Sequence, residues 1–305
     1  MPQWLKIFQP QRRLLRFDTP HTLVAVTALP SFLRHGPVEP ASPILLSVPH
    51  AGRDYPLALR AALRVPLSAL RVLEDRYADA IALGARREET MFVARRPRAW
   101  IDLNRSERDR DPMVEDRPPA AGTPMSPKVR GGLGLIPRRA GRADTIWRRR
   151  LSGEEVAMRI VRDHRPYHDA VAAALAAARA RFGIAILIDV HSMPPLGAPD
   201  NAPRIVIGDR FGKSAGSVWT GLLEQVAHAH GIRAACNAPY AGGHILERHG
   251  NPSAGVHAIQ LEFDRGLYLD GQLDQPGPGL GRAVALLRAM IGALADAAAP
   301  AVAAE

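Results

Sequence analysis

The chain is 305 residues long, 47% hydrophobic and 23% charged, with a formal net charge of +10. That length supports one large α/β domain or two small ones with a sizeable core, and the ordinary composition excludes a fibrous or disordered chain. A single cysteine, Cys236, excludes a disulfide framework and fits a reducing, cytoplasmic setting; with no activating pattern around it, it reads as a structural thiol.

Only three of the forty basic residues are lysine (Lys6, Lys128, Lys213), and residues 128–165 hold eleven Lys/Arg against four Asp/Glu. No zinc finger, helix-turn-helix or aromatic-studded basic repeat accompanies this charge, which argues against nucleic acid. A small anionic substrate accounts for it more simply. No apolar run reaches the roughly 18–20 residues that span a bilayer. "QRRLLRF" before "TLVAVTALPSFL" imitates a signal peptide, but Asp18, Pro20 and His21 separate the two parts and Pro30 interrupts the second. Residues 1–38 are expected to be an N-terminal extension, and 39–305 a single domain.

In chain order, "ILLSV" (44–48) predicts a strand and residues 66–87 a helix. "TMFVARR" (90–96) and "AWIDL" (99–103) predict strands. Residues 106–146, rich in Pro, Gly and charge, form a long loop excursion of the kind that often carries function. Ser152 with Glu155 makes a capping box for a helix running toward Arg181, bent or split by Pro166. "IAILIDV" (184–190) is the clearest buried strand. "RIVIGD" (204–209), a helix from Ser214 to His230, "VHAIQLEF" (256–263) and a helix near 275–297 complete the series. Strands separated by helices predict a three-layer α/β fold: a mixed, mostly parallel sheet with helices on both faces.

Such folds gather ligands at the carboxyl ends of their strands. There "SVPH" ends in His50, "IDLNR" in Asn104 and Arg105, "LIDVHS" in His191, and "IQLEFD" carries Glu262. Histidines and a carboxylate from separate elements suit a catalytic zinc, which needs three protein ligands and an open position for water. The remaining carboxylate is expected on the helix after the first strand, where "LEDRYAD" offers Glu74, Asp75 and Asp79. Asp75 is favoured and Glu74 comes next. Glu262 interrupts an apolar strand, and burying an unpaired charge is costly, so it should face a site.

Other residues have plainer readings. Asp79 reads as a solvated helix face and Arg98 as a surface arginine. His164 and His168 form an H-x-x-x-H that could bind zinc, but Arg165 stands where a metalloprotease has glutamate. His168 is therefore either structural or substrate-facing. Asp189 either orients His191 or simply packs.

The ordered motifs "SVPHAG", "IDLNR", "RPYHDA", "DVHS", "GGHILERHG" and "HAIQLEFDRGLYLD" resemble the N-formylglutamate amidohydrolase family over residues 42–271. The resemblance implies a plan like that of zinc carboxypeptidases and related phosphorylase/hydrolase-like folds. It implies His50, Asp75 and His191 as ligands of one zinc and Glu262 as general base. Arg105, helped by Asn104, would anchor a substrate carboxylate. "GGLGLIP" (131–137) would bring Arg130 toward the substrate, His168 would line the substrate side, and Arg248 in the "GGHILERHG" loop would make a second carboxylate contact. Ala51 stands where the family commonly has serine or threonine, and "LEDRYAD" departs from its more usual Asp-x-Asp pattern.

The implied activity is metal-dependent hydrolysis of an N-acyl, most simply N-formyl, amide of a glutamate-like amino acid, releasing formate. A zinc carboxypeptidase is disfavoured because its H-x-x-E start is absent. Another N-acyl amino acid deacylase and a basic non-catalytic binding protein are the remaining alternatives.

Overall fold

Runs of aliphatic and β-branched residues bounded by Gly, Pro or polar residues become strands, and these assemble into a seven-stranded sheet. The computed structural model describes residues 30–116, 125–198 and 201–299. Residues 1–29, which hold most of the expected extension and the signal-peptide-like stretch, lie outside these, as do 117–124 of the excursion. Among the described residues, no helix is long and apolar enough to cross a membrane.

The elements are β1 (Phe32–His35), β2 (Ile44–Val48), α1 (Leu57–Ala62), a 3-10 segment (Leu67–Leu73), α2 (Ala78–Ala85), β3 (Thr90–Ala94) and the short α3 (Pro127–Arg130). There follow α4 (Gly153–Arg159), a π-turn (Ile160–His164), α5 (Arg165–Phe182), β4 (Ala185–Met193), β5 (Ile205–Gly208), α6 (Ser217–Ala229), β6 (Ala234–Cys236), α7 (His244–His249), β7 (Val256–Asp264) and α8 (Leu280–Ala298). The sheet order is β1-β3-β2-β4-β7-β5-β6. Only β1 against β3 and β5 against β7 are antiparallel, so the sheet is mixed and mostly parallel as expected.

Side-chain alternation divides the core into two layers. Ile44, Leu46 and Val48, with Ile186, Ile188 and Val190 and with Ile259, Leu261 and Phe263, pack against α2, α6 and α8. The opposite face carries Leu45, Leu187 and Ala258 under α1, α4, α5 and α7. Toward the carboxyl ends that second face turns polar, with Ser47, Asp189, His191, Gln260 and Glu262 all buried. Parallel pairing sets Ser47 beside Asp189 and His191 beside Glu262. The period of two thus gathers these five polar residues on one side of the sheet.

Several expectations are corrected. Residues 99–103 are not a strand but a turn-rich segment, in which the Trp100 N–H donates to the Pro97 carbonyl and the Arg105 N–H to that of Asp102. The helix expected over 66–87 is broken. After the 3-10 segment the chain is extended at Glu74, and Tyr77 takes the left-handed conformation (φ 58°) before α2 begins. Glu74 and Asp75 therefore do not share a helix with Asp79. Tertiary bonds override helical propensity here, because the Asp75 N–H donates to the His50 carbonyl and Arg76 bonds both Glu74 and the Asp274 carbonyl. The stretch up to residue 38 also contributes β1 to the sheet edge, with Phe32 set edge-on 5.4 Å from Tyr167.

Ser152 and Glu155 form the expected capping box. Pro166 does not break the helix. The π-turn directly before it absorbs the missing N–H, and the chain continues into α5.

Candidate active site

Three side chains converge above the carboxyl ends of β2 and β4. His50 follows β2, Asp75 sits in the break before α2, and His191 is on β4, all 4% exposed or less. Asp75 Oδ2 lies 2.9 Å from His191 Nδ1 and 3.4 Å from His50 Nδ1, and one donor atom from each residue falls within 4.8 Å of the others. Glu74, the alternative, turns away to bond Tyr55 and Arg76. Asp79 pairs with Arg53 on the partly exposed face of α2, in keeping with its plain reading.

The far side of each imidazole is held by a carboxylate. His50 Nε2–H donates to Asp102 Oδ1 (2.7 Å), and His191 Nε2–H donates to Asp189 Oδ2 (2.7 Å). A carboxylate can only accept, so both rings turn Nδ1 to the common point, that of His191 facing Asp75 Oδ2 across a hydrogen bond. This is how outer carboxylates orient metal-ligating histidines. Asp189 is fixed in turn by the Ser47 hydroxyl (2.6 Å), which also bonds Tyr167 (2.8 Å). Asp75 Oδ1 receives Ser192 Oγ (3.3 Å) and lies 3.5 Å from Arg265 Nη2.

Two observations fit a divalent metal at this point. His50 Nδ1 is buried with no hydrogen-bond partner, although buried polar atoms are nearly always satisfied. Four buried carboxylates (Asp75, Asp102, Asp189 and Glu262) also crowd around two histidines, with Arg98 and Arg105 beside Asp102 and Arg265 beside Asp75, and a further cation suits such a set of acceptors. Burial opposes the charge on Asp102, but Arg98, His50 and Arg105 outweigh it and hold the carboxyl well below its usual range.

Glu262 stands beside His191 in the β4/β7 register and accepts from Gln260 Nε2 (3.0 Å). Burial pushes its carboxyl up to about 7; nearby His191 pulls the other way and Asp75 adds to the rise. A carboxylate poised near neutrality is suited to take and return a proton.

The "IDLNR" turn sits over this centre. Arg105 is buried, its Nε donating to the Leu133 carbonyl (2.8 Å) and Nη1 to the Asn104 carbonyl (2.7 Å). The Asp102 N–H donates to the Leu135 carbonyl, so "GGLGLIP" is stitched to the same turn. Asn104 is a bridge. Its Oδ1 accepts from the Ile245 N–H (2.9 Å), and its Nδ2 lies 3.4 Å from His191 Nε2. Gly243 makes that approach possible, since a Cβ there would stand 2.4 Å from Asn104 Oδ1.

Three expected substrate contacts are placed elsewhere. His168 is fully buried behind the turn, bonded to the Leu103 carbonyl (3.0 Å) and His249 (2.9 Å), so it does not face substrate. Arg248 is exposed on α7 and reaches Asp169 (3.4 Å). Arg130 is exposed and donates to the Met125 carbonyl (2.6 Å). Lys128, on the same short helix, is also exposed; desolvation, with Arg105 and Arg98, lowers its pKa against Asp102 and Glu262.

Residue-by-residue reading missed Asp102, Arg98, Lys128 and Arg265. Asp102 lies in the quoted "IDLNR", two residues before Asn104, whose N–H it accepts (2.8 Å). Arg98 is four residues before Asp102 and pairs with it (2.8 Å). Both signals were local.

Buried, oriented lone pairs next to a poised carboxylate and a cationic turn are equipment for adding water to a polarised carbonyl. Fold and site together define a mixed-sheet α/β protein with a site of the hydrolytic kind. The family model for N-formylglutamate amidohydrolase matches residues 42–269, and the chain belongs to that family. An N-formylglutamate deformylase of Pseudomonas putida is 31% identical over 241 residues, covering 75% of this chain and 82% of the relative. One of Pseudomonas aeruginosa is 30% identical over 243 residues, covering 75% and 83%. A crystal structure of N-formylglutamate amidohydrolase from Ralstonia eutropha JMP134 superposes with a TM-score of 0.80 at 30% identity, covering 88% of this chain and 98% of that one. A gene product of Agrobacterium tumefaciens shares the fold at a TM-score of 0.62 and 18% identity, covering 88% of this chain and 96% of its own. The chain is thus an enzyme that hydrolyses an amide bond, which removes the non-catalytic binding protein from consideration.

Proposed function

We propose that this enzyme hydrolyses the formamide bond of N-formylglutamate or a close dicarboxylate analogue, releasing formate and the free amino acid, with a divalent metal held by His50, Asp75 and His191. The observation that carries the metal is the buried, unpartnered His50 Nδ1 aimed at the point shared by Asp75 and His191. Two imidazoles and one carboxylate suit zinc. When bound, the metal would polarise the substrate carbonyl and acidify a water.

The chain's own residues account for the rest. Glu262 takes a proton from the attacking water and returns it to the departing amine nitrogen, a role its raised pKa supports. Arg105, with Lys128 on which its charge acts, would supply cationic partners for a substrate with two carboxylates. Holding those carboxylates places the formyl carbon over the histidines, which contributes through orientation. Asp102 and Asp189 keep both Nδ1 lone pairs forward.

The test is release of the free amino acid by zinc-loaded enzyme from N-formyl-L-glutamate, N-acetyl-L-glutamate and N-formyl-L-leucine. Cleavage of the first well above the other two is expected. Equal rates on the leucine compound would remove the dicarboxylate argument, and no release from any of them would overturn the proposal.

A further inference from the structure

Four histidines that the proposed chemistry does not use meet behind the Asn104–Arg105 turn. His164 closes the π-turn, His168 lies on α5, and His244 and His249 bracket α7. Ring centroids are 4.4 Å apart for His164 and His168, 5.4 Å for His168 and His244, and 5.2 Å for His168 and His249.

Backbone carbonyls fix two of the tautomers. A carbonyl only accepts, so His164 Nε2–H donates to Arg105 (2.9 Å) and His168 Nε2–H to Leu103 (3.0 Å). Both therefore carry lone pairs on Nδ1. That of His168 accepts the His249 Nε2–H (2.9 Å). His164 Nδ1 has no hydrogen-bond partner although its ring is fully buried, and His244 Nδ1 is also buried without one. One ligand atom each from His164, His168 and His244 fall within 4.8 Å of one another.

We propose that His164, His168 and His244 form a second metal site, taking a divalent transition metal of the zinc and cobalt class and tying α5 and α7 to the turn that carries Arg105. Three imidazole nitrogens select such metals over calcium or magnesium, which prefer oxygen ligands. The donation of the opposite ring nitrogen to a backbone carbonyl is the arrangement found behind metal-ligating histidines generally. Burial lowers the pKa of all three rings, so no proton competes for the lone pairs at neutral pH.

Two carboxylates at the rim supply countercharge: Glu107 Oε1 lies 3.8 Å from His164 Nδ1 and Glu247 Oε2 3.7 Å from His244 Nδ1. Arg165 and Arg210 share these carboxylates, and Arg248 stands near the rings. His244 is the partly exposed member and marks the side of entry. Metal binding replaces one hydrogen bond, that of His249 to His168. The site is structural. It holds the rings whose N–H groups grip the carbonyls of Leu103 and Arg105, on either side of Asn104.

The test measures bound metal by mass spectrometry after zinc loading and desalting, together with cobalt absorption spectra. The His50→Ala/His191→Ala variant removes the front site. It is expected to keep one metal per chain, lost on adding His244→Ala, and to give a cobalt spectrum dependent on His244. His164→Ala should act likewise, but its ring is buried; His244→Ala, confirmed folded by circular dichroism, keeps the test decisive. A front-site variant that binds no metal, or whose metal is indifferent to His244→Ala, overturns the second site. Metal content left unchanged by His50→Ala/His191→Ala would instead count against the front site, independently of His244.

Discussion

Two groups of histidines lie on either side of one turn, and His191 in front is driven in the opposite direction to His164 and His168 behind. In front, His50 and His191 are backed by Asp102 and Asp189. Burial alone would keep His191 neutral, but Asp189, Asp75 and Glu262 outweigh it and raise its pKa well above the ordinary value. Behind, His164 and His168 are backed by neutral carbonyls, and burial wins: both fall below the ordinary value. The same side chain thus gains or loses proton affinity according to what its backing N–H meets. An imidazole backed by a carboxylate is the more basic ligand, suited to a reactive centre, whereas one backed by a carbonyl is a quieter anchor.

The strongest way to break this contrast is at the front. Glu262→Gln should retain metal yet lower kcat by about 10²–10⁴-fold. In the parent enzyme, kcat/KM should fall as the pH drops below about 7, because protonation of Glu262 removes the base. Near-parental kcat in the variant would exclude Glu262 from proton transfer.

The next effect belongs to the rear. Burial lowers His249 to about 4, so the unfolded chain takes up a proton first as pH falls. Its contribution to stability is full above about 6.5 and is lost toward pH 4, amounting to about 3 kcal/mol over that window. Urea unfolding of chelator-treated protein at pH 7 and 5 should show the loss, and His249→Asn should reduce it. An unchanged pH slope in the variant would remove His249 from the account.

Asp102→Asn sharpens the frontal half. It replaces the acceptor that aims His50, and zinc affinity in competition with a chromogenic chelator should weaken by about 10–100-fold. The smallest change is expected for Ser47→Ala, which deletes the hydroxyl bonded to Asp189 and Tyr167. A loss of about 1 kcal/mol in unfolding free energy is expected, with metal still bound.

The legible part of the site was what strand periodicity and local motifs announce. His50 and His191 follow aliphatic runs, Glu262 interrupts one, and Asn104–Arg105 closes a short motif. The sequence favours Asp75 over Glu74, but the continuous helix that would group it with Asp79 is broken in the fold. His168 shows the reverse error. Its motif marked it as important, but its importance lies behind the turn, where the Leu103 carbonyl and His249 occupy both ring nitrogens.

The sequence by itself determined the α/β layering, because buried aliphatic runs separated by amphipathic helices have few other ways to hide both faces of a sheet. It also determined which strand ends carry polar residues, because a period of two leaves those positions on one face. Only the tertiary structure decided which carboxylate meets the histidines and which ring nitrogen each histidine presents. Those outcomes depend on acceptors far away in the chain, Asp102 for His50 and the Arg105 carbonyl for His164, and hydrogen bonds across such separations leave no periodic trace in the sequence.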